Sequence, residues 1–244
     1  MAISKNIKIA SMVNQRIKEW EIGNSIYENK DRRGDSPDHA PGLVITISRE
    51  HGCHGAAVAK MLSDEMGLEL FDTEIVEMIA RDKKIAARVV ATLDEKGRSE
   101  LEVFLDGAIG NRGISSLSFF RSLKRVLFTI ALHGNAVIVG RGAGLLLPPE
   151  KRISIRLVAP LETRVQNVMA ENDCDEKSAL ALITKVEQER SQFVSKYLNK
   201  NIGDPSLYDA VINLAAMDPQ AVPGMVKAMQ AHHATKPDKS MAMA

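Results

Sequence analysis

The sequence predicts an α/β protein with a central parallel β-sheet. Short runs rich in β-branched and other apolar residues alternate with longer stretches whose apolar residues recur at helical spacing, an order typical of βαβ units. The chain has 244 residues, 45% hydrophobic and 26% charged, an ordinary composition for one main globular domain with appendages. Its net charge of +1 creates no global field that would attract nucleic acid or an acidic membrane, so any anion site must be local.

The first predicted elements follow one another closely. Residues 43–47 form an apolar run that we expect to be a buried strand, and a glycine-containing turn follows it. The next helix carries its apolar residues on one face and can end at Gly67, because glycine readily adopts the left-handed conformation found at helix ends. Residues 68–71 predict a second strand, and Asp72 can cap the helix after it.

The rest of the chain continues this alternation of helices and strands. Pro160 suits the first turn of a helix, because that position needs no backbone N–H. The remaining predicted elements are a helix over residues 116–132, strands over 136–139 and 153–158, a helix starting near Pro160, a charge-rich helix over 175–198, a strand over 208–213 and a helix begun at Asp218.

Three segments are expected along the chain. Residues 1–41 comprise an amphipathic N-terminal helix and a polar linker, residues 42–231 form the α/β domain, and residues 232–244 form a disordered polar tail. The N-terminal helix can pack on the body of the protein or on a second subunit. It is therefore compatible with a homodimer.

Cysteine usage and hydropathy indicate the compartment. Cys53 and Cys174 are too few for a disulfide framework or a cysteine-based zinc site, which suggests a reducing environment. His51 and His54 lie too close to Cys53 for a standard zinc site, so no metal site is expected. The N-terminus lacks the apolar core of a secretory signal, and polar residues interrupt the most apolar stretch, residues 126–147. We therefore expect a cytoplasmic protein that does not enter the membrane.

The turn after the first strand, residues 48–55, is the first candidate for chemistry. It places backbone N–H groups and a helix N-terminus at the carboxyl end of a strand, where a phosphate is favoured. A full Walker motif has a lysine followed by a hydroxyl residue, but Gly55 and Ala56 stand at these positions. From the residues alone, a plain structural turn is an equal interpretation.

A second candidate is the glycine-flanked Arg141, which follows the predicted strand over residues 136–139. Parallel sheets bind ligands outside the carboxyl ends of their strands, and flanking glycines let an anion approach the backbone closely. Arg141 is thus placed to bind a phosphate or a carboxylate through its planar guanidinium. A surface arginine in a tight turn is the structural alternative.

Five separated stretches occur in one order along the chain: ITISREHGCHGAAVAKMLSDEMGLELFD, VIVGRGAGLLL, IRLVAPLETRV, QERSQF and DPSLYDAVIN. Together they resemble the cytidylate kinase-like family, a divergent branch of the P-loop nucleoside monophosphate kinases. The resemblance covers about residues 43–230. It implies a P-loop NTPase-type three-layer αβα sandwich with a central parallel sheet, a nucleoside monophosphate-binding insertion and a helical lid.

The resemblance assigns nucleotide binding to the turn after the first strand. Within this branch, loss of the Walker lysine looks usual, and Arg49 becomes a candidate substitute cation. His54 departs from the family pattern, in which glycine is commoner, because it adds an imidazole to a loop that needs close backbone approach. The nucleotide-binding residues implied by the resemblance are Arg49, Gly52, Cys53, His54, Gly55 and Ala56.

The resemblance also implies an acceptor site. Asp72 matches the family's carboxylate near the acceptor nucleotide, although helix capping alone also explains it. Arg141 matches the arginine of the family's G-R-D turn, which binds the acceptor, but Gly142 replaces the aspartate and leaves pyrimidine recognition open. A further family stretch leaves packing and adenine contacts both open for three residues, Asp204, Tyr208 and Asp209.

Arg164 and Arg190 complete the set of candidate catalytic cations. Phosphoryl transfer asks mainly for charge neutralisation and in-line positioning, and arginines supply both. Arg190 lies in the lid-like stretch, but Glu187, Glu189 and Arg190 can also be the solvated face of a long helix. Arg156 is expected to make a structural ion pair within a strand.

The predicted function is ATP-dependent phosphoryl transfer to a nucleoside monophosphate, most simply CMP or dCMP. Arg141, Arg164 and Arg190 are the predicted catalytic residues, and Mg²⁺ is expected to arrive with the nucleotide. Two alternatives remain open. One is a catalytically degenerate, nucleotide-binding regulatory protein, which the missing lysine and hydroxyl favour. The other is a kinase of a different small-molecule acceptor.

Overall fold

A computed structural model of the protein describes three stretches of the chain, residues 9–22, 44–106 and 114–234. The predicted linker after the N-terminal helix and the tail beyond residue 234 lie outside the described residues. The described residues form two units, a helical unit drawn from Met1–Gly42 and Phe71–Ala136 and a sheet unit drawn from Leu43–Leu70 and Val137–Ala244.

The predicted helices and strands are present, and two further helices, Lys83–Ala91 and Glu95–Asp106, lie between the helix capped by Asp72 and the helix predicted over residues 116–132. In chain order the elements are α1 (residues 9–22), β1 (Val44–Arg49), α2 (Gly55–Met66), β2 (Glu69–Phe71), α3 (Thr73–Arg81), α4 (Lys83–Ala91), α5 (Glu95–Asp106), α6 (Ile114–His133), β3 (Ala136–Val139), α7 (Ala143–Leu146), β4 (Arg152–Val158), α8 (Leu161–Asn172), α9 (Glu176–Leu198), β5 (Ala210–Asn213) and α10 (Val222–Ala234). Short 3₁₀ turns occur at Pro149–Lys151, Pro205–Leu207 and Pro219–Ala221.

The five strands form one sheet in the order β2-β3-β1-β4-β5. The ladders that join β3 to β1, β1 to β4 and β4 to β5 are parallel, which confirms the predicted fold class. The chain leaves β1 toward β2 on one side of the sheet and leaves β4 toward β5 on the other. In open parallel sheets the ligand crevice usually lies where the connections reverse, which here is at the carboxyl ends of β1 and β4.

Helices cover both faces of the sheet. Apolar residues of α2 and α10 pack on one face, against a core that includes Ile45, Ile47, Ile153 and Ile155. The short helix α7 packs on β1 and β4. Helices α8 and α9 pack on each other around a smaller apolar cluster of their own.

The helical unit is built on α6, on which α3, α4 and α5 all pack. The apolar side of α1 is buried, as its amphipathic pattern predicts, through residues such as Val13 and Ile17. Trp20 stacks on His133, with ring centroids 4.2 Å apart, and also on Phe71 at 6.0 Å. The described part of the chain contains no helix that is both long and apolar enough to cross a membrane.

Capping residues define the ends of several helices. Gly67 ends α2 in the left-handed conformation, and the Asp72 carboxylate accepts the Ile75 N–H to cap α3, as predicted. Pro160 precedes α8 instead of lying in its first turn, because its extended ψ of 146° makes it the capping residue. Asp218 caps a 3₁₀ turn that leads into α10, and α10 continues to Ala234, three residues into the predicted tail.

Candidate active site

The loop between β1 and α2 lies at the carboxyl end of β1 and has a left-handed backbone at two positions. Gly52 has φ +83° and His54 has φ +58°. A Cβ on Gly52 would lie 2.6 Å from the backbone oxygen of Arg164, so the loop runs directly against α8. A Cβ on Gly55 would lie 2.8 Å from the Cβ of Arg49, so the Arg49 side chain covers the start of α2. Only glycine permits these close approaches.

The N-terminus of α2 suits an anion. His54 is its capping residue and makes no side-chain capping bond within the described structure, and the first turn of α2 carries no acidic residue. The helix dipole and the first backbone N–H groups therefore favour a negative ligand. The His54 imidazole points instead to α8, where its Nδ1 lies 3.2 Å from Oε1 of Glu171.

Cys53 contributes backbone and packing to this loop. Its side chain is 1% exposed, and its Sγ donates to the Leu157 carbonyl at 3.6 Å. Burial raises the pKa of the thiol, so the group stays protonated at neutral pH. A reactive thiolate is thus not part of this site.

Arg164 on α8 contacts the loop between β1 and α2. Its Nε donates to the Ala159 carbonyl at 2.9 Å, and its Nη1 donates to Glu187 Oε1 at 2.6 Å and to the His51 carbonyl at 3.4 Å. Its Nε also lies 3.4 Å from Glu50 Oε2. The structure places Arg164 at the loop and directs its guanidinium to protein acceptors. Direct contact with a substrate stays a prediction.

Arg190 on α9 reaches the same loop. Its Nη1 donates to the Arg49 carbonyl at 2.9 Å. Burial lowers the pKa of Arg190, the Glu187 carboxylate opposes this, and the positive charges of Arg141 and Arg156 lower the pKa further. The guanidinium charges of Arg141 and Arg156 thus act on Arg190. Because like charges repel, such a cluster favours a bound anion.

The contacts of α9 exclude the solvated-face interpretation for two of its residues. Glu187 accepts the His51 N–H at 3.2 Å in addition to the Arg164 guanidinium, and Arg190 is half-buried and donates to the Arg49 carbonyl. Glu189, between them, is exposed. The charged face of this helix therefore belongs to the loop at positions 187 and 190.

Arg141 follows β3 with φ +50°, and its Cζ lies 5.3 Å from the centre of the Phe193 ring on α9. A Cβ on the neighbouring Gly142 would lie 2.7 Å from Leu198 Cδ1. Helix α9 thus contacts both the turn of Arg141 and the loop after β1. A side chain at position 142 would require Leu198 to shift, and the φ of +66° disfavours any residue other than glycine there.

Asp72 belongs to the helical unit, where its carboxylate accepts the Ile75 N–H at 2.8 Å. This contact accounts for the residue as a helix cap. Its predicted place beside an acceptor nucleotide stays a prediction.

The D-P-x-x-Y-D stretch makes packing contacts. Asp209 Oδ2 accepts from Arg152 and from the Ser154 N–H, both at 2.7 Å. The Tyr208 hydroxyl donates to the Ile202 carbonyl at 2.9 Å, and Asp204 caps a 3₁₀ turn. These contacts account for the three side chains as packing and capping groups, and an adenine contact by any of them stays a prediction.

Sequence reasoning missed two residues of the site. Asn167 donates to the Gly52 carbonyl at 2.8 Å, and Glu50 accepts the Ala159 N–H at 3.1 Å. Asn167 lies three residues after Arg164, on the same helix face, so helical spacing was a usable signal. Glu50 had no such signal, because its partners lie more than 100 residues away.

No group of three His, Cys, Asp or Glu side chains within the described residues could hold a metal ion. The donor set that the loop does offer, backbone N–H groups with arginines around them, is that of a phosphate site.

The family of the chain follows from comparison with known proteins. The model of the cytidylate kinase-like family matches residues 44–216. The chain is 26% identical to a cytidylate kinase of Ignicoccus hospitalis over 76% of this chain and 98% of that protein. It is 28% identical to one of Pyrococcus horikoshii, over 78% and 89%.

A solved structure of an uncharacterized protein from Eubacterium ventriosum has the same fold, with a TM-score of 0.60 and 23% identity. The match covers 78% of this chain and 98% of that protein. The family match spans most of the sheet unit, from β1 through the loop, the Arg141 turn and α9 to β5, and on this basis the chain belongs to the cytidylate kinase-like family.

Proposed function

We propose that this protein transfers the γ-phosphoryl group of ATP to a nucleoside monophosphate, with CMP or dCMP as the simplest acceptors. The observation that carries the proposal is the N-terminus of α2, which has no side-chain capping bond within the described residues and no acidic residue in its first turn, beside a loop whose backbone is contacted by Arg164 and Arg190. Backbone N–H groups with guanidinium groups beside them favour a bound anion. A nucleotide with its phosphates on the loop is such an anion.

The proposed roles follow from the contacts of each residue. The N–H groups at the start of α2 bind the phosphates of ATP, with Gly52 and Gly55 allowing close approach. Arg141 binds the acceptor phosphate, and Arg190 neutralises the charge that develops on the transferring group. Arg164 positions the loop and α9 through its bonds to His51 and Glu187.

Mg²⁺ fits this site as a partner of the nucleotide, and when bound it neutralises phosphate charge. Helix α9 supports the exclusion of water, because it touches the loop through Arg190 and the acceptor turn through Phe193. Opening of α9 admits the substrates, and closure brings Arg190 to them.

The acceptor base is the open part of the proposal. Position 142 holds glycine where the family's turn has an aspartate, so cytosine must be recognised by other groups. This observation keeps a different acceptor as the second candidate. It calls for a panel of acceptors and not for CMP alone.

The test is a panel assay with ATP, Mg²⁺ and each ribonucleoside and deoxyribonucleoside monophosphate, with shikimate and inorganic phosphate as acceptors outside the class. ATP affinity is measured in parallel by calorimetry. We expect turnover with at least one nucleoside monophosphate, highest for CMP or dCMP. Intact ATP binding with no product from any acceptor contradicts the enzyme and favours the nucleotide-binding regulatory protein. Failure to bind ATP or GTP contradicts both.

A further inference from the structure

Strand β4 carries two buried arginines on one face. The alternate residues Ile153, Ile155 and Leu157 lie in the apolar core of the sheet, so the positions between them, Arg152, Ser154 and Arg156, lie on the other face. Both arginines are 8% exposed. Central strands of parallel sheets are usually apolar on both faces, so each buried guanidinium needs a physical reason.

The burial of Arg152 is explained by an ion pair within the sheet. Its Nη1 donates to Asp209 Oδ2 at 2.7 Å, and the same oxygen accepts the Ser154 N–H at 2.7 Å. Asp209 immediately precedes β5, which pairs with β4. The Arg152–Asp209 ion pair therefore fastens the edge strand to its neighbour.

Arg156 is compensated differently. Its Nη1 donates to the neutral hydroxyl of Ser48 at 3.0 Å, and its Cζ lies 5.7 Å from the centre of the Tyr208 ring. The predicted ion pair exists, but Nη2 of Arg156 is 3.7 Å from Glu50 Oε1, too long for a hydrogen bond. The other carboxylate oxygen of Glu50, Oε2, accepts the Ala159 N–H.

The carboxylates around Arg156 are shared among several cations. Glu50 faces both Arg156 and Arg164, and Glu187 acts on both Arg164 and Arg190. Within the described residues of the sheet unit, these two carboxylates thus serve three guanidinium groups. Arg156 therefore shares the Glu50 carboxylate with Arg164.

Arg156 lies where its positive charge can act on a bound ligand. Arg156 pairs in register with Ser48, the residue before the end of β1, so it lies at the carboxyl ends of β1 and β4 beside the crevice. Its charge reaches the crevice, because it lowers the pKa of Arg190. Position 55, where a Walker lysine would supply a cation, holds glycine.

We propose that the Arg156 guanidinium contacts a phosphoryl oxygen of the bound nucleotide and supplies the positive charge that the loop lacks. This inference rests on the proposed function. Ser48 and the face of Tyr208 fix the guanidinium plane, and the planar fork presents its remaining N–H donors to an anion. Arg156 is then a substrate-binding residue.

The experiment measures the affinity of the full chain for inorganic tripolyphosphate and for ATP by titration calorimetry, at several salt concentrations. The variants are Arg156→Met, Arg156→Lys and the matched control Arg152→Met, which removes an equally buried arginine from the same strand face. We expect Arg156→Met to weaken tripolyphosphate binding about 10- to 100-fold and to make it less sensitive to salt. Arg156→Lys should weaken it less, because it keeps the charge and loses the fork.

Arg152→Met should lower the melting temperature and leave tripolyphosphate affinity within about twofold of the wild type. If Arg156→Met binds tripolyphosphate as tightly as Arg152→Met does, the role of Arg156 is overturned while the proposed function stands. If the wild type binds neither tripolyphosphate nor ATP, both are overturned. Should Arg156→Met fail to fold, Arg156→Lys decides, since wild-type affinity and wild-type salt dependence in that variant overturn the inference.

Discussion

The backbone N–H of His51 donates to Oε1 of Glu187, 3.2 Å away on helix α9. The same carboxylate oxygen accepts the Arg164 guanidinium at 2.6 Å. One oxygen thus takes a loop N–H and a guanidinium together, the kind of donor set that also binds a phosphate oxygen. The carboxylate connects α9 to the loop, and its negative charge opposes a phosphate placed there.

Replacing Glu187 by Gln should therefore tighten tripolyphosphate binding, by about 5- to 30-fold, because a negative charge near the loop is removed. The melting temperature of the ligand-free protein should fall, because Arg164 loses an ionic partner. Calorimetry and thermal melting measure the two effects. Glu189→Gln, an exposed change on the same helix, is the control. Equal tripolyphosphate affinity in the two variants contradicts this account of Glu187.

Replacing Arg190 by Met should lower kcat about 10²- to 10³-fold, because a cation proposed to act on the transferring group is lost. The Kd of ATP should change less than tenfold, since the loop N–H groups remain. Steady-state kinetics and calorimetry separate the two quantities. Lys185→Met, an exposed change on α9, should leave kcat unchanged. A kcat for Arg190→Met equal to that of Lys185→Met removes Arg190 from the mechanism.

Two glycines with left-handed backbones allow a matched test of loop packing. Gly52→Ala should cost about 3 kcal/mol or more of unfolding free energy, because its Cβ would lie 2.6 Å from the Arg164 backbone oxygen. Gly67→Ala has the same kind of backbone with no atom within 4 Å, and should cost about 1 kcal/mol. Urea unfolding measures both. Similar losses would mean that the loop can move away from α8.

The two cysteines should differ in reactivity. Burial raises the pKa of Cys53, which is 1% exposed, whereas Cys174 is partly exposed. A disulfide reagent at pH 8 should therefore modify Cys174 quickly and Cys53 only after unfolding, since the thiolate is the reacting species. Cys174→Ser should abolish the fast phase. A fast phase that survives in Cys174→Ser shows that the loop opens readily.

His133 should make stability depend on pH. Burial lowers its pKa from 6.5 to about 4, with Asp94 opposing the change. The unfolded chain then binds a proton near pH 6.5, which the folded protein accepts only near pH 4. Stability from this group is complete above pH 6.5 and is lost as the pH falls toward 4, by about 3 kcal/mol in total.

Urea unfolding between pH 4 and 7 measures this loss, with His133→Gln as the comparison. The difference in unfolding free energy between wild type and variant should shrink steadily below pH 6.5. A difference that is constant with pH shows that His133 titrates normally in the folded protein.

Short-range signals in the sequence predicted the fold well. Strand and helix order followed from apolar patterns, and the ends at Gly67 and Asp72 followed from capping chemistry that acts within a few residues. Strand β1 runs to Arg49, two residues past its predicted end, because its pairing with β4 continues to Leu157. Pairing between distant segments is invisible to local patterns.

The site shows the same limit, because local sequence patterns do not reveal contacts between distant segments. Sequence reasoning selected Arg141 and Arg190, and the structure brings their charges together. Sequence reasoning could not identify Glu50 as a site residue. It also could not show that the Glu187 carboxylate accepts the His51 N–H, because the two residues are 136 positions apart. Arg156 was detectable in principle, because polar and apolar residues alternate along a strand that a parallel sheet would otherwise bury on both faces.

The central claim is phosphoryl transfer by this site. It is tested most directly by incubating the wild type and Arg190→Met with CMP, dCMP, Mg²⁺ and ATP labelled in its γ-phosphoryl group, and identifying the labelled products by chromatography. The account predicts that the wild type converts CMP or dCMP to labelled diphosphate over many turnovers and that Arg190→Met forms far less. Wild-type protein that binds ATP but labels no nucleoside monophosphate, here or across the full acceptor panel, would contradict it.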